Sequence, residues 1–559
     1  MLLFLTLVTY YIWALNRGFE ISDEAYYLHL AIHPSSIKIF NSAQHWITPG
    51  LWFVTGSLFL FRGIGMLILL VAAGILAYGV IETCINFSIT GPIKLREGVV
   101  IFGSTLSAAL LYGSTINFSP CYNLIATASS YAAVGFVLLA LSRSSGYLTK
   151  VLHLFTGCVL GIAILNKFSA GLCTFFLIII FIAVFGNIIR KQLLQIALIL
   201  IGIVITIFFF VSIHMMTENV VDEFRSGMAV FKQVQTEPTS VRLFRYVHEF
   251  TSQLFWSGAF LVIPILWLSA VNKTRYVILI RNLAIIITLL LGCYHIKNAF
   301  PLVPSDLIWI GVQAEAIALV LALSLINTTL TWTKDIKTAV LIIGLIGLPY
   351  CVAIGTGNSI HTQVIISLAP WGTVIAVLAI PNRLKGYRNK MSMLICALFV
   401  SVIIVQVFLC SLSPYHLNSS VWKQHIPTKI STIGIVMTDK ATHDYVVALM
   451  TATKEGSILK AQPFLGFYNM PGAAIVMETI PLFSPWISNV GQSELILAKV
   501  NPKLLQIAVI GIMLNPDSSM PTLPKQLSGF PKGYKKCGEA VYPDFPYRNQ
   551  RIQMWVPIQ

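Results

Sequence analysis

Three carboxylates, Glu20, Asp23 and Glu24, stand within five positions of a sequence in which only 10% of the residues are charged. They follow directly on an apolar segment, residues 1–16, in a stretch that runs from Arg17 to Gly50. A carboxylate at the mouth of a membrane bundle loses hydration energy when it is even partly buried, and such groups are enriched in functional sites. A carboxylate in this position can act as a general base, which removes a proton from a substrate hydroxyl. We therefore expect the rest of the chain to act as a scaffold for this stretch.

The composition indicates a helical membrane protein that crosses the bilayer many times. The 559 residues are 56% hydrophobic, with a mean hydropathy of +0.80, whereas soluble proteins are about 45–50% apolar. Many apolar runs reach the ~20 residues that a helix needs to cross ~30 Å of hydrocarbon, and they lack the alternating pattern of an outer-membrane barrel. We predict about thirteen spans, at residues 1–16, 64–86, 98–115, 124–141, 151–166, 169–187, 194–214, 253–271, 277–294, 307–330, 338–354, 364–380 and 391–410.

The net charge of +16 does not indicate nucleic-acid binding, because Lys and Arg fall in small groups between the apolar segments. With the first loop outside, every short inner loop carries at least two positive residues, as the positive-inside rule requires. This orientation also puts residues 412–559 outside. Most of the nine cysteines lie in or beside apolar segments, so no disulfide framework is expected. Together with the lack of a C-terminal retention signal, this favours a bacterial inner membrane with a periplasmic C-terminal domain.

Two domains are expected, a transmembrane domain at residues 1–411 with a first outer loop at 17–63, and a soluble α/β domain at 412–559. Within the loop, the apolar stretch from Thr48 to Phe61 is too short to span and predicts an interfacial helix with Pro49 near its first turn. In the second domain the apolar runs shorten to strand length. The predicted elements there are strands at Ile433–Met437, Glu494–Val500 and Leu504–Met513, a helix at Asp439–Lys454 and a loop at Pro521–Pro546.

Three short motifs occupy characteristic places in this topology. Asp23-Glu24 follows the first span, Ser119-Pro120-Cys121-Tyr122-Asn123 introduces the fourth, and Gly161 to Lys167 ends the fifth. With the proline-opened amphipathic segment and the outer C-terminal domain, they resemble the GT-C glycosyltransferases, in particular the bacterial aminoarabinose-transferase-like enzymes and the protein O-mannosyltransferases. The resemblance implies transfer of a sugar from a polyprenyl-phosphate carrier to an acceptor on the outer side. Ile47-Thr48-Pro49-Gly50 stands where the aminoarabinose-transferase pattern has Glu-Lys-Pro-Pro, so the donor sugar cannot be inferred.

Within this resemblance each candidate residue has a role. Asp23 is expected to deprotonate the acceptor hydroxyl, and Glu24 to hold the acceptor or orient a neighbouring base. The displacement is single, so inversion at the anomeric carbon is expected, with no covalent sugar-enzyme and no cofactor. Outward-facing cations are expected to stabilise the departing phosphate, namely Lys167, Lys297, Arg62 and Arg225. Residues of the outer turns are expected to line the substrate pocket, namely Tyr122, Asn123 and Asn358.

Each assignment has a structural alternative. Ser22-Asp23 before Ala-Tyr-Tyr-Leu is also a good helix start, with the acids as caps or solvated side chains. Lys167 is alternatively a lysine that reaches along the helix to the membrane interface, and Arg62 a headgroup anchor. Glu315, inside span ten, is equally well explained by a structural hydrogen bond. No metal is expected, because three histidines near the outer ends of spans match no ligand spacing: His45, His214 and His295.

Other function classes compete with sugar transfer to a glycan, lipid or protein of the cell envelope. A secondary transporter or flippase of lipid-linked sugars would place acids at the bilayer midplane, whereas here they gather in the first outer loop. An O-antigen ligase or polymerase would carry its main residues in a large loop late in the chain. A membrane receptor for a ligand of the C-terminal domain leaves the early acids unexplained. The glycosyltransferase is therefore the preferred function.

Overall fold

The computed structural model describes residues 1–558 except 90–92, 144–145, 187, 216–218, 235–237, 239, 252–334, 356–357, 380–386 and 545. Helices make up the part before residue 413, and residues 240–251 are also helical. The labelled helices are α1 Leu2–Ala14, α2 Asp23–Ile32, α3 Gln44–Thr55, α4 Leu58–Asn86, α5 Leu95–Leu110, α6 Tyr112–Thr115, α7 Tyr122–Leu141, α8 Tyr147–Asn166, α9 Phe168–Phe185, α10 Ile189–Met215, α11 Val220–Val234, α12 Ile336–Ala353, α13 Ile360–Val364, α14 Ala369–Ala379 and α15 Tyr387–Leu412.

Eight of the described helices are long and apolar enough to cross a membrane, namely α4, α5 with α6, α7, α8, α9, α10, α12 and the part of α15 from Ile395. They coincide with eight predicted spans. The predicted spans at 1–16 and 364–380 correspond to the shorter helices α1 and α14. Those at 253–271, 277–294 and 307–330 lie outside the described residues. The chain is thus a multi-pass α-helical membrane protein, as predicted from its composition.

Helix α7 lies at the centre of this bundle, and most of its surface is buried against α4, α8 and α9. Small residues allow the close packing. A Cβ atom added to Gly79 in α4 would stand 2.4 Å from the carbonyl oxygen of Gly135 in α7, so these glycines let the two helices approach each other. Because Tyr122 and Asn123 open α7, the packing of the bundle fixes the position of both side chains.

The helix predicted over Thr48–Phe61 is wrong at both ends. Helix α3 already begins at Gln44 and holds Pro49 in its interior. It ends at Thr55, because Gly56 adopts a left-handed conformation with φ of +59° and provides the C-cap. The chain then enters α4 at Leu58. The last residues of the predicted interfacial helix therefore belong to the second membrane span.

The C-terminal domain is a mixed α/β structure, as predicted. Its strands form a hairpin, β1-β2, and a five-stranded sheet of order β4-β3-β5-β7-β6, in which β3 is parallel to β4 and β5 and the other pairs are antiparallel. The elements are β1 Ile426–Ile430, β2 Gly434–Thr438, α16 Lys440–Glu455, β3 Pro463–Phe467, α17 Pro471–Val476, β4 Ile480–Pro481, α18 Val490–Leu497, α19 Pro502–Ile507, β5 Val509–Met513, β6 Tyr534–Val541 and β7 Arg551–Pro557, with short 3₁₀ turns at Pro34–Ser36, Ile365–Ser367, Val421–Lys423 and Lys525–Leu527.

Of the elements predicted in this domain, one strand and the helix are confirmed, whereas the other two strands and the loop are not. β2 and the helix predicted at Asp439–Lys454 are confirmed, and Asp439 caps α16 by accepting from the amide of Thr442 at 2.8 Å. The strand predicted at 494–500 is wrong, because this run lies largely in α18, which begins after the capping residue Asn489. The strand predicted at 504–513 is half helix, α19, and half β5, and the loop predicted at 521–546 contains β6. Short apolar runs do not distinguish helix from strand.

The first loop, residues 17–63, packs into the core of the C-terminal domain. Phe19, Ile21 and Leu28 are fully buried in one cluster with residues of β1, β2, α16 and α17. Backbone hydrogen bonds join the two parts, among them Gly18 N to Met437 O at 2.8 Å and Gly472 N to Ile21 O at 2.9 Å. The loop that carries Asp23 is therefore positioned by residues more than 400 positions further along the chain.

Candidate active site

A cavity of about 680 Å³ lies between the membrane helices and the C-terminal domain. Among the described residues that line it, Asp23 is the only carboxylate, and neither Lys nor Arg occurs. The membrane part contributes Ser22, Asp23, Tyr26, Tyr27, Ile39, Phe40, Asn41, Thr115, Ile116, Tyr122, Asn123, Gly227, Val230, Phe231, Asn358, Ser359, Gln363 and Ile366. The remaining wall contributes Tyr415, His416, Ser484, Trp486, Ser488, Gln492, Pro546 and Tyr547. These rings and neutral hydrogen-bonding groups can contact the uncharged parts of a ligand.

Asp23 and Glu24 occupy the first two positions of α2, which turns their side chains to different sides, since consecutive helical residues point about 100° apart. Asp23 is half-buried and borders the cavity, whereas Glu24 is fully buried. The helix start predicted at Ser22-Asp23 is confirmed. Its cap, however, is the carboxylate of Glu20, which accepts from the amides of Ser22 at 2.8 Å and Glu24 at 2.5 Å.

The carboxylate of Asp23 accepts a hydrogen bond from the hydroxyl of Tyr415 at 2.8 Å. The ring of Tyr415 stacks on His416, whose Nδ1 lies 3.5 Å from the carboxylate of Glu20. Burial, and after it the negative charge of Glu20, raises the pKa of Asp23 to about 6, against the opposing effects of His416 and the Tyr415 hydrogen bond. A carboxyl group with a pKa near neutrality can both take up and release a proton at physiological pH.

Glu24 forms a buried ion pair with Arg62 of α4. The guanidinium donates from Nε and Nη2 to the two carboxylate oxygens, at 2.7 and 2.5 Å. The other Arg62 donors meet backbone carbonyls, including those of Leu15 and Gly18, and Ser119 donates to Glu24 at 2.5 Å. The arginine is only 4% exposed, so the interpretation of Arg62 as a headgroup anchor is wrong. Neither member of the pair borders the cavity.

Lys167 lies in the turn between α8 and α9, directly behind the cavity wall. Its Nζ donates to the Oδ1 of Asn123 at 3.2 Å and to the carbonyl of Val352 at 2.7 Å. Burial lowers the pKa of Lys167 to about 7. With 6% of its surface exposed, the side chain does not extend to a membrane interface, so that alternative is wrong. Asn123 borders the cavity, so Lys167 contacts a residue of its wall without bordering the cavity itself.

The structure brings some of the other candidates to the cavity and leaves others away from it. Tyr122, Asn123 and Asn358 all line it, in the place predicted for pocket residues. Arg225 is exposed and pairs with Asp222 at 3.9 Å, on the helix whose Gly227 and Phe231 face the cavity. Lys297, His295 and Glu315 lie outside the described residues.

Histidines His45 and His214 are close to each other, with ring centroids 6.4 Å apart, and the ring of Trp46 stacks on His214. Burial lowers the pKa of His45 to about 3. In the part of the chain that the structure describes, no group of three or more His, Cys, Asp or Glu side chains is arranged to hold a metal ion. The expectation of a metal-free site stays a prediction.

Several residues of the site escaped the sequence analysis. Tyr415 and His416 come shortly after the last membrane helix, which ends at Leu412. This position at the end of a span was the only feature of the sequence that could have indicated them as site residues. Trp486 and Tyr547 come from loops of the C-terminal domain that carry no recognisable motif. Glu20 was noted as a member of the acid cluster, but its capping role depends on the start of α2 and on contact with His416, which sequence spacing does not reveal.

Comparisons with known proteins gave matches among solved structures alone; no protein-family model and no curated protein matches the chain. An oligosaccharyltransferase from Archaeoglobus fulgidus, crystallised with zinc and sulfate, is 11% identical with a TM-score of 0.48, over 97% of this chain and 79% of that chain. ArnT from Cupriavidus metallidurans in the apo state is 13% identical, with a TM-score of 0.40. This match covers 99% of this chain and 97% of that chain. Similarities of this size carry nothing about substrate or site residues.

Proposed function

We propose that the chain is an inverting membrane glycosyltransferase of the GT-C type, which moves a sugar from a polyprenyl-phosphate carrier to an acceptor of the cell envelope. The observation that carries the proposal is the placement of Asp23. It is the one carboxylate among the described cavity-lining residues, it is half-buried, and its pKa is raised to about 6. A base of this kind suits the deprotonation of a hydroxyl at neutral pH.

The reaction is a single displacement. The acceptor hydroxyl oxygen forms a bond to the anomeric carbon, its proton goes to the carboxylate of Asp23, and the bond from the anomeric carbon to the phosphate oxygen breaks. The leaving polyprenyl phosphate carries away the electron pair, so it needs a cation or hydrogen-bond donors more than it needs an acid. Attack opposite the leaving group inverts the anomeric configuration.

On the donor side, the amide of Asn123 and the ring of Tyr122 are the contacts we propose for the carrier phosphate and its sugar. Lys167 supports Asn123 through the 3.2 Å hydrogen bond and places a positive charge behind it. Lys297 and Arg225 stay proposed phosphate contacts. We assign Arg62 and Glu24 to positioning, because their ion pair is buried beneath α2 and occupies the charges of both.

We also propose where in the cell the protein acts. With the first loop outside, the cavity and the C-terminal domain lie in the periplasm and the helices in a bacterial inner membrane. The donor then reaches the site from the bilayer, and the acceptor, a glycan, lipid or protein, from the aqueous side.

The basic test is sugar transfer by the purified protein from polyprenyl-phosphate sugars to envelope extracts. Product formation supports the enzyme. Reconstituted vesicles distinguish the alternative of a flippase for lipid-linked sugars: efficient flipping without acceptor, and without a transferred product in its presence, would contradict the proposal.

The pH dependence of transfer tests the role of Asp23. The base is active when deprotonated, so kcat/KM should fall as the pH drops through about 6. Tyr415→Phe removes a hydrogen bond that lowers the pKa of Asp23, so we expect the acid limb of the profile to move up by roughly one pH unit. Tyr445→Phe is the matched control, because the Tyr445 hydroxyl is buried without a partner among the described residues. An acid limb that stays in place in Tyr415→Phe would contradict this account.

The alkaline side of the profile tests Lys167. A lysine with a pKa of about 7 loses its positive charge as the pH rises past that value, and leaving-group stabilisation should weaken with it. We expect Lys167→Met to lower kcat on the order of tenfold or more and to abolish this alkaline limb. Lys440→Met, at an exposed lysine of the C-terminal domain, should change neither quantity. Wild-type rates in Lys167→Met would remove Lys167 from the donor site.

A further inference from the structure

A polar network on the C-terminal wall of the cavity fixes two aromatic rings. The Nε1 of Trp486 donates to the Oδ1 of Asn469 at 2.7 Å, and the Nδ2 of the same asparagine donates to the hydroxyl of Tyr547 at 2.8 Å. Asn469 itself is 6% exposed and donates through its backbone amide to the carbonyl of Ile487 at 2.9 Å. One buried amide side chain therefore holds both rings, while Trp486 and Tyr547 stay partly exposed and border the cavity.

The same wall presents hydrogen-bond donors to the cavity. The Tyr547 oxygen accepts from Asn469, which leaves its own O–H to donate. The Oε1 of Gln492 accepts from the amide of Ser488 at 2.7 Å, which leaves its NH₂ group to donate. Both side chains line the cavity, and within the described part of the chain neither donor has an acceptor. A ligand with acceptor oxygens would satisfy them.

The charge of this wall limits the class of ligand. Apart from Tyr415 and His416, which lie beside Asp23 and Glu20, the wall is lined by six uncharged residues, namely Ser484, Trp486, Ser488, Gln492, Pro546 and Tyr547. A charged ligand group held there would lose its hydration without gaining a counter-charge, which is costly. A neutral pyranose fits instead, because one face of its ring is made of C–H groups that can stack on an indole, and its edge carries hydroxyls that accept from tyrosine and glutamine.

The wall lies next to the proposed base. Tyr26 follows Asp23 by three positions in α2, so the two side chains share one side of the helix. The ring of Tyr26 meets that of Trp486 edge to face, with centroids 6.0 Å apart. A sugar stacked on Trp486 is thus one aromatic ring away from Asp23.

We propose that Trp486, Tyr547 and Gln492 form a subsite for a neutral sugar unit of the acceptor, with Asn469 as a positioning residue. The subsite rests on the proposed transfer reaction for its role as acceptor site, and it makes the acceptor a neutral glycan instead of an acidic glycan or a peptide. Stacking holds the ring of the sugar, and the two donors orient the hydroxyl that Asp23 deprotonates.

Direct binding tests the subsite without requiring catalysis. The full chain in detergent is titrated with neutral tetrasaccharides of glucose, mannose and N-acetylglucosamine, with tetragalacturonate as the anionic counterpart, by calorimetry and tryptophan fluorescence. We expect at least one neutral tetrasaccharide to bind and Trp486→Leu to weaken its binding roughly tenfold or more. Asn469→Gly should weaken it as well while keeping the fold, because glycine accepts the left-handed φ of +59° found there.

The controls separate the subsite from the reaction. Trp422→Leu, at a tryptophan that packs on Trp13 away from the cavity, should bind as the wild type does, and so should Asp23→Asn. In a transfer assay, Trp486→Leu should raise the KM for the acceptor and leave the donor KM unchanged. Absence of binding by every neutral sugar, preference for tetragalacturonate, or unchanged affinity in both Trp486→Leu and Asn469→Gly would overturn the subsite. Binding that depends on Trp486 in a protein without transfer activity would instead refute the reaction and keep the subsite.

Discussion

We expect Asp23→Asn to abolish sugar transfer nearly completely, with kcat lower by roughly 10²–10⁴-fold. Asparagine keeps the size of the side chain and still accepts the hydrogen bond from Tyr415, but its amide takes no proton from the acceptor hydroxyl. The thermal midpoint of unfolding and the affinity for the polyprenyl-phosphate donor should therefore change little. Single-turnover transfer with saturating donor measures the chemical step directly and separates it from binding.

The matched control is Asp444→Asn, the same change at an acid of α16 that is 57% exposed and forms a surface ion pair with Lys440. It should transfer sugar at the wild-type rate. Undiminished transfer by Asp23→Asn would show that this residue is not part of the mechanism. If the variant loses transfer and its thermal midpoint of unfolding also falls, the loss reflects lower stability. A loss confined to kcat is the outcome that only a role in the chemistry explains.

Most of the membrane part could be predicted from the sequence because a spanning helix satisfies its own backbone hydrogen bonds and needs about twenty apolar residues. Helices such as α7 and α9 therefore appear where the apolar runs are. The C-terminal domain offered weaker signals. The run at 494–500 predicts a strand because it is short and apolar. It is helical instead, because Asn489, which lies before the run, caps a helix that begins at Val490.

For the site, local spacing predicted Asp23 and the turn at Tyr122 and Asn123, which all border the cavity. That Asp23 borders the cavity and Glu24 does not could be seen only from the structure. It depends on the start of α2 at Asp23, which points the two side chains to different sides. Contacts across long stretches of sequence could not be predicted from motifs. Tyr415 reaches Asp23 from 392 positions away, and the network around Asn469 depends on tertiary packing of three loops.

The buried pair of Glu24 and Arg62 gives the largest expected effect on stability. Glu24→Leu leaves the guanidinium in a place that is 4% exposed, without the carboxylate that binds it at 2.5 Å. Breaking a buried ion pair by removing one partner costs about 3–5 kcal/mol, whereas replacing both partners by apolar residues of similar volume is often neutral. We therefore expect Glu24→Leu to be strongly destabilised and the double variant Glu24→Leu/Arg62→Met to recover most of the free energy of unfolding, measured by unfolding in detergent.

The same pair of variants decides whether Glu24 is catalytic or only positions α2. If its work is to hold the start of the helix, the double variant should regain transfer together with stability, because Glu20 still caps the helix through the amides of Ser22 and Glu24. Asp444→Asn, which breaks the exposed pair of Asp444 and Lys440, should cost less than about 1 kcal/mol and leave transfer unchanged. A double variant that is stable but inactive would show that Glu24 or Arg62 takes part in the reaction. If the pair only held α2 in place, restoring the stability would also restore transfer.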